Sequence, residues 1–562
     1  MATPPFVSST HGSISEALGG VLAEPGIRRI ELAWAAGIAA DWAYLVALLV
    51  VAYRAGGALG VGILGVVRMV PAIVLGPFAA TPIRGLRGER ALMAVHGVRA
   101  GAAAVTALVL ALGGPVALAF LLAAVAAGAG ALVRPIQIAL LPAFAKTPGE
   151  LVASNVASST GEGVGTFVGP LLGGLLVALA GPAWACAAVA IAAGFSTAVV
   201  AGIRGVEDAS REHPRDPGPR PVGPLAGLRA LAEHRGAALL VGDFFAQTFV
   251  RGLLITLTVV ASINLLGLGE GGIGALNGAM GAGGLAGGLF ALSLAGRSRL
   301  APALAVGLVL WGLPIAAIGL LPVAAVAVAA LFVTGLGNAV LDVAGFTLLQ
   351  RMVPNESRLA VLGLFEGLIG VGVALGSVTA PVLLRVLGPQ GALIATGAIL
   401  PILALLTWPR ISRTDAEVVV PERQLALLRS IPFFVPLPMT ALERLAEAAV
   451  PVAFGPGQAL MTKGEPGDRY IVIESGAVDV VDDGQLVRKC GPGNGIGEIA
   501  LLRRVPRTAT VIARSPVRAY ALDAAAFLDA VSAPASSAAA ALLVKERLSW
   551  RAGAPRSGSR PA

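Results

Sequence analysis

The sequence predicts an all-α polytopic membrane domain followed by a smaller soluble module at the C-terminus. Three observations lead there. Of 562 residues, 56% are hydrophobic and only 13% charged, with a mean hydropathy of +0.83, a composition that a water-soluble chain of this length does not carry. Between about 30 and 410 run twelve apolar stretches, each near the roughly 20 residues that span a bilayer. After Trp408-Pro409-Arg410 this pattern stops, and a glycine-spaced stretch with chemistry of its own, GNGIGEIALLRRVPRTATVIA, occupies 493–513.

Residues 1–27 form a polar segment without a basic start and apolar core, so no cleavable signal peptide is expected and the first apolar stretch directs insertion. The stretches lie near 30–53, 58–80, 91–112, 115–141, 151–180 and 182–203, then 238–266, 272–296, 300–320, 322–350, 358–387 and 390–409. Short Gly/Pro breaks at 113–115, 181–182, 321–322 and 388–389 mark tight hairpins. Basic residues alternate between loops. Arg28, Arg29, Arg84, Arg87, Arg90, Lys146, the run from Arg204 to Arg235, Arg297, Arg299, Arg351 and Arg358 fall on one side, against Arg54 and Arg385 on the other. The positive-inside rule then places the N-terminus, the even-numbered loops and the C-terminal module in the cytoplasm of a multi-pass cell-membrane protein. The net charge of +9 comes from these scattered arginines, which argues against a nucleic-acid partner. Two cysteines, Cys186 and Cys490, imply neither a disulfide framework nor a metal site.

The segment 204–237, rich in Pro and Arg, splits the apolar stretches six and six, into halves 28–203 and 238–410. It reads as a solvated linker ending in a short amphipathic helix, LAGLRALAEHRG, on the membrane surface. Ionisable groups inside a membrane are costly and call for a partner or a role. Asp41, Arg68, Glu162, Asp243 and Asp342 are the transport and proton-coupling candidates, because protonation of an acid there biases one access state. Asp41 and Arg68 could instead form a structural ion pair. Weak repeats relate the halves: ADWAYL (40–45) to GDFFAQ (242–247), and GTFVGPLLGG (165–174) to GSVTAPVLL (376–384), with Pro170 and Pro381 in corresponding places. Gly274/Gly278 and Gly284/Gly288 have the four-residue spacing of close helix contact.

Twelve helices in parallel halves about a long central loop resemble the major facilitator superfamily. Gly165, Gly169, Pro170, Gly173 and Gly174 fill that family's antiporter motif on the fifth stretch. There the glycines permit tight packing and Pro170 kinks the helix where the halves rock. Asp41, Arg68 and Pro71 also match the macrolide- and siderophore-exporter branch, which implies an exporter. GPFAATPIRGLRGER (76–90) departs from that branch, with Arg84 and Gly85 where its Asp-Arg pair belongs.

In 493–513, Gly493, Gly495 and Gly497 let the backbone approach a phosphate, and a helical turn can begin at Glu498. Arg507 can fork onto two phosphate oxygens, and Glu498 suits a sugar hydroxyl. This stretch resembles the phosphate-binding cassette of cyclic nucleotide-binding domains, found in CRP-type regulators and protein kinase A regulatory subunits. Gly497, Glu498, Ala500, Leu501, Arg507, Thr508, Ala509, Thr510 and Val511 fill its pattern, and GEPGDRYIVIESGAVDVV (464–481) matches the hairpin upstream. The resemblance implies a β-roll (jelly-roll-like) fold with flanking helices over 425–545. It also implies a site of Gly497, Glu498, Ile499, Arg507, Thr508 and Ala509 for cAMP or cGMP, with Thr508 suited to the guanine amino group.

A connector over 411–424 joins the modules, and apolar Leu425, Leu428, Leu442, Leu445 and Ala449 predict leading helices that act as a lever over 424–452. The tail 550–562 reads as disordered. No nucleophile, base and acid set or metal spacing stands out, so neither an enzyme nor a cofactor beyond the regulatory nucleotide is expected. The expected partners are the bilayer, a cyclic nucleotide and a small-molecule or lipid substrate. A nucleotide sensor without transport, and a lipid or lysolipid flippase, are the alternatives.

Overall fold

The computed structural model describes residues 24–75, 88–144, 148–203, 224–291, 299–353, 355–417 and 422–532, apart from 432, 433, 435, 436, 438 and 504. Two compact units emerge, one of Ala23–Ala143 with Val156–Val418 and one centred on Val419–Ala562. The atypical loop at 76–87, most of the linker 204–223 and the tail 550–562 lie outside the described residues.

The first unit is helical. Among the described residues nine helical stretches are long and apolar enough to cross a membrane. Two of them are interrupted. Pro25–Leu75 breaks at Gly56 and Gly57, and Asn355–Glu417 breaks at Gly388, which takes φ +68°. Between them come Gly88–Ala111, Val116–Phe144, Pro148–Ala180, Pro182–Ala201, Arg235–Val260 and, after a π turn at Ala261–Leu265, the glycine-rich Gly271–Ala291. Ala301–Leu320 and Ala324–Met352 follow. The expected hairpin breaks appear as Gly113 at φ +70°, Gly181 at φ +85°, Gly388, and non-helical Leu321. Two core clusters fill this unit, the first taking in Val259 and Ile273 of the second half. Tyr44, Leu48, Val61, Ala119 and Val189 fill one, and Phe244, Trp311, Leu348 and Phe365 the other. Large apolar side chains point outward along the same helices, among them Leu112, Leu179, Ile191 and Leu405. Apolar groups on both faces of a helix fit a bundle whose outer solvent is lipid.

Two expectations are corrected. The chain does not leave its last apolar helix at Arg410: the helix runs on to Glu417 despite Pro409, so the first seven residues assigned to a connector are helical. A carboxylate fixes this extension, since both backbone N–H groups of Leu300 and Ala301 donate to Oδ2 of Asp415 at 2.9 Å. Orphan amides at a helix start thus find an acceptor more than a hundred residues away. The amphipathic linker helix, Pro224–Glu233, does form, and it packs one side on protein while Leu228 stays exposed. A Cβ on Gly227 would lie 2.5 Å from the carbonyl oxygen of Ala360 and 2.8 Å from Cβ of Leu364, and Leu231 is buried. In the glycine-rich helix, Gly288 has open space around it and Gly284 only a distant carbonyl. Gly283 and Gly287 make the contact, against Phe332 and Leu336.

The second unit opens with Glu422–Arg429 and Met439–Ala448 and continues as eight strands. These are β1 (Val450–Phe454), β2 (Ala459–Met461), β3 (Arg469–Ser475), β4 (Val478–Asp482), β5 (Gln485–Cys490), β6 (Gly495–Ile496), β7 (Thr510–Ala513) and β8 (Val517–Asp523). They form two antiparallel four-stranded sheets, β1-β8-β3-β6 and β2-β7-β4-β5. Ile471, Ile473, Val478, Val511 and Val517 fill the space between them. The apolar residues of the leading helices, Leu425, Leu428, Leu442, Leu445 and Ala449, are all buried as their spacing predicts. Their core also takes in Phe434, whose ring sits edge-on to Tyr470 at 5.9 Å and to Phe527 at 6.2 Å.

Candidate functional site

The glycine-spaced stretch folds as a tight strand, turn and helix. β6 pairs with β3, Gly497 turns at φ +97°, and Glu498–Arg503 is helical. Two glycines there are sterically required. A Cβ on Gly495 would come 1.7 Å from the Tyr470 hydroxyl, and one on Gly497 would come 2.5 Å from Nη1 of Arg507. Arg507 is 4% exposed and held on three sides. Its Nη1–H donates to the carbonyl of Gly497 at 3.1 Å, and Nη2–H donates to that of Arg469 at 2.8 Å and to Asp468 at 3.0 Å. Sequence positions far apart on β3 and before β7 therefore meet at one guanidinium. Asp468 also accepts two hydrogen bonds from Arg469, at 2.8 and 2.6 Å. Those bonds first, and then the one from Arg507, hold its carboxyl below the ordinary 3.8. Glu498 is 3% exposed and directly follows Gly497, whose carbonyl accepts from Arg507. Ile499 follows Glu498, and Thr508 and Ala509 follow Arg507, with Thr508 half-buried. A nearby cavity of about 390 Å³ is lined by Gly467, Ala500, Leu501, Val505 and Leu528 and by neither Glu498 nor Arg507.

In the helical unit the antiporter-type glycines face two neighbours. Cβ atoms on Gly165, Gly169 and Gly173 would strike Ile38, the Ala39 carbonyl and Ala43 at 2.8, 2.5 and 2.7 Å. One on Gly174 would lie 2.7 Å from the carbonyl oxygen of Gly271, and one on Gly274 would lie 2.3 Å from that of Pro170. Helix Pro148–Ala180 is thus pressed between the first helix of its own half and the glycine-rich helix of the other. A second crossing mirrors it. Gly62 and Gly65 take Ser377, and Pro381 Cγ stands 3.3 Å from a Cβ built at Gly62. Backbones that approach this closely need small residues.

Between the halves lies a cavity of about 340 Å³. Of the ionisable candidates only Glu162 lines it, joined there by Arg251 and Asn338. Glu162 is ion-paired with Arg134, whose guanidinium lies 5.7 Å from the Trp34 ring. Asp41 pairs with Arg99 at 2.5 Å, while Arg68 lies within its electrostatic reach. Arg99 also donates to the carbonyl of Gly37 at 2.8 Å and is 3.5 Å from Nδ1 of buried His96. The repeat-related acid Asp243 has a different setting: it is 1% exposed and accepts a hydrogen bond from Thr407 at 3.2 Å. Asp342 accepts from Nδ2 of Asn338 at 2.8 Å. The sequence reading missed Asn338, Trp311 and Gln247, whose only signal was polarity or bulk on an apolar helix. At one end of the bundle Arg54 grips Glu270 through two 2.6 Å hydrogen bonds, and Asn264 donates to the Tyr53 hydroxyl at 2.8 Å. Both contacts join one half to the other.

Comparison with known proteins agrees with both units. Residues 239–461 match the family model of the Major Facilitator Superfamily, and residues 451–533 match that of the cyclic nucleotide-binding domain. The two overlap over 451–461, a segment that folds as β1 and β2 of the second unit. The chain is 42% identical over 71 residues to a cAMP-dependent protein kinase regulatory subunit of Yarrowia lipolytica, covering 13% of this chain and 19% of that protein. It is 44% identical over 110 residues to the acetyltransferase Pat of Mycolicibacterium smegmatis, covering 19% of this chain and 33% of that protein. The chain therefore spans a third or less of these relatives' lengths. Among solved structures, the regulatory subunit of a cAMP-independent protein kinase A from Trypanosoma brucei is 26% identical, with a TM-score of 0.21 over 25% of this chain and 51% of that one. The cAMP co-crystal of the Toxoplasma gondii protein kinase A regulatory domain is 22% identical, with a TM-score of 0.21 over 26% and 56% of the respective chains. The chain carries a Major Facilitator Superfamily domain followed by a C-terminal cyclic nucleotide-binding domain.

Proposed function

We propose that this chain is a secondary active transporter of the cell membrane, an exporter working by alternating access, whose activity is set by cAMP or cGMP bound to its C-terminal unit. The observation that carries the transport reading is the cavity between the halves, with ionisable Glu162 and Arg251 in its wall. Glycine crossings on both sides of it allow rocking without side-chain interlock. Each of the two kinked helices in this reading crosses twice and the glycine-rich helix crosses once, for twelve crossings in two halves. In this reading Glu162 is the foremost proton-coupling residue, because it alone of the candidates reaches the cavity. Asp41 with Arg68 and Arg99, Asp243 and Asp342 tune each half from within. The exporter assignment rests on the resemblance of Asp41, Arg68 and Pro71 to one exporter branch.

The regulatory reading rests on Glu498 and Arg507 both being buried, Glu498 next to Gly497 in the chain and Arg507 donating to the Gly497 carbonyl. The leading helices, tied to the cassette strand through Phe434 and Tyr470, serve as the lever. Only residues 418–421 separate them from the helix that Asp415 anchors.

Calorimetric titration of the full chain in nanodiscs with cAMP and cGMP tests regulation, and solute-driven proton movement in reconstituted vesicles tests transport. Glu162→Gln is expected to abolish proton coupling while nucleotide binding persists. Nucleotide binding without movement of any solute would instead make the chain a membrane sensor. A Thr508→Ala variant is expected to lower cGMP affinity relative to cAMP, and an unchanged ratio would overturn the role of that hydroxyl.

A further inference from the structure

Arg251 is the cavity residue whose hydrogen-bonding capacity is mostly unused among the described residues. Among the described residues its one hydrogen bond runs from Nη2–H to Oδ1 of Asn338 at 2.5 Å, and its buried Nε has no acceptor. That single acceptor is shared. Oδ1 of Asn338 also takes Trp311 Nε1–H at 2.8 Å and Gln247 Nε2–H at 3.2 Å, three donors on an oxygen with two lone pairs. Arg251 makes no direct ion pair among the described residues. Asp342 attracts it electrostatically but hydrogen-bonds to Asn338, which stands between them. Glu162, the other charge in the wall, already has Arg134 as its ion-pair partner.

A guanidinium carries five N–H donors and keeps its charge, and inside a membrane an unsatisfied one is costly. A planar two-oxygen anion satisfies it bidentately. The rest of the wall is largely hydrocarbon, including Trp42, Leu45, Leu254, Met280 and Leu331, around about 340 Å³, a size in the range of about 300–1,000 Å³ typical of small-molecule sites.

We propose that the cavity takes an amphipathic organic anion. Its carboxylate or phosphate sits on Arg251 and its apolar body lies against the aliphatic wall. The inference rests on reading the cavity as the substrate site, and binding and translocation separate the two.

The test is calorimetric titration of the full chain in nanodiscs with decanoate, decyl phosphate, decyltrimethylammonium and decanol. Both anions are expected to bind at least tenfold more tightly than the cation. Arg251→Gln should lose at least tenfold for the anions and change decanol by less than twofold, with Arg251→Lys between. Cation binding equal to or tighter than anion binding overturns the proposal, and this comparison needs no variant. Anion affinity unchanged in a folded Arg251→Gln chain overturns it equally. Decyl phosphate that binds as expected yet enters reconstituted vesicles no faster than protein-free ones would leave the anion site standing and remove the transport reading. A free-acid source predicts decanoate ahead of decyl phosphate, and a phospholipid-derived source predicts the reverse.

Discussion

In the proposed regulatory reading Arg507 has to stay in place without a ligand and then take one, and its three contacts fit that demand. The carbonyls of Gly497 and Arg469 orient the guanidinium, while Asp468 offsets its charge. Replacing Arg507 with Ala removes a charge-assisted contact worth about 1.5–3 kcal/mol, so nucleotide affinity should fall roughly ten- to hundredfold by calorimetry. Gly497→Ala should do comparable damage through geometry, since its Cβ would occupy the guanidinium's place at a positive φ. Asp468 adds a pH dependence. Its folded carboxyl titrates below the ordinary 3.8 because Arg469 and then Arg507 hydrogen-bond to it. The unfolded form therefore binds a proton first on acidification. The stability Asp468 contributes is present above about pH 4 and declines as pH falls through its lower folded value. Asp468→Asn should flatten the acid limb of the unfolding midpoint against pH. These residues were legible in the sequence because glycine, glutamate and arginine stand at fixed short spacings. The clamp of Asp468 on Arg507, spanning 38 intervening positions, and the Phe434 wedge were not, because each depends on how the sheets fold over.

At the scale of elements, helix contacts were legible by kind and less so by phase. Apolar length fixed where helices run, and hairpin glycines fixed where they turn. Four-residue glycine spacing, however, fits more than one face of a glycine-rich helix. Gly283 and Gly287 won over Gly284 and Gly288 because helix Ala324–Met352 packs on that side. The fifth-stretch glycines were unambiguous since their motif supplies the phase. Gly174→Leu should therefore force apart the crossing at Gly271 and Gly274 and lower the thermal midpoint, whereas Gly288→Leu, with open space around it, should leave the midpoint unchanged. Asp415 shows what sequence reading cannot reach. A polar residue past a Trp-Pro pair looks like a connector, yet it caps a helix start at Leu300 and Ala301. Asp415→Ala should cost about 0.5–2 kcal/mol of that unit's stability, as N-cap removal does. If helix 410–417 also transmits the nucleotide signal, the same variant should weaken the effect of nucleotide on transport without changing nucleotide affinity.

For the whole molecule, the proposed alternating-access reading makes function depend on which end of the cavity is closed. Arg54 and Glu270 meet across the halves at one end with 56% and 28% of their side chains exposed, and Tyr53 and Asn264 meet beside them. Exposed pairs contribute about 0.2–1 kcal/mol, which is too little to lock a structure. It is enough to shift a balance between two access states by up to about fivefold. The chain is well suited to measuring that shift, because both native cysteines, Cys186 and Cys490, are buried. A cysteine placed at Asn277, in the cavity wall, can be labelled with a membrane-impermeant maleimide added from either face. With Arg54→Gln or Glu270→Gln, labelling from the face that carries the pair should rise about two- to fivefold. The double variant should add nothing further, since either change alone removes the bond. Exchanging the charges, Arg54→Glu with Glu270→Arg, should bring the rate back. An unchanged rate in every variant would mean that closure at this end belongs to helix packing alone, and the glycine crossings would then carry the whole balance.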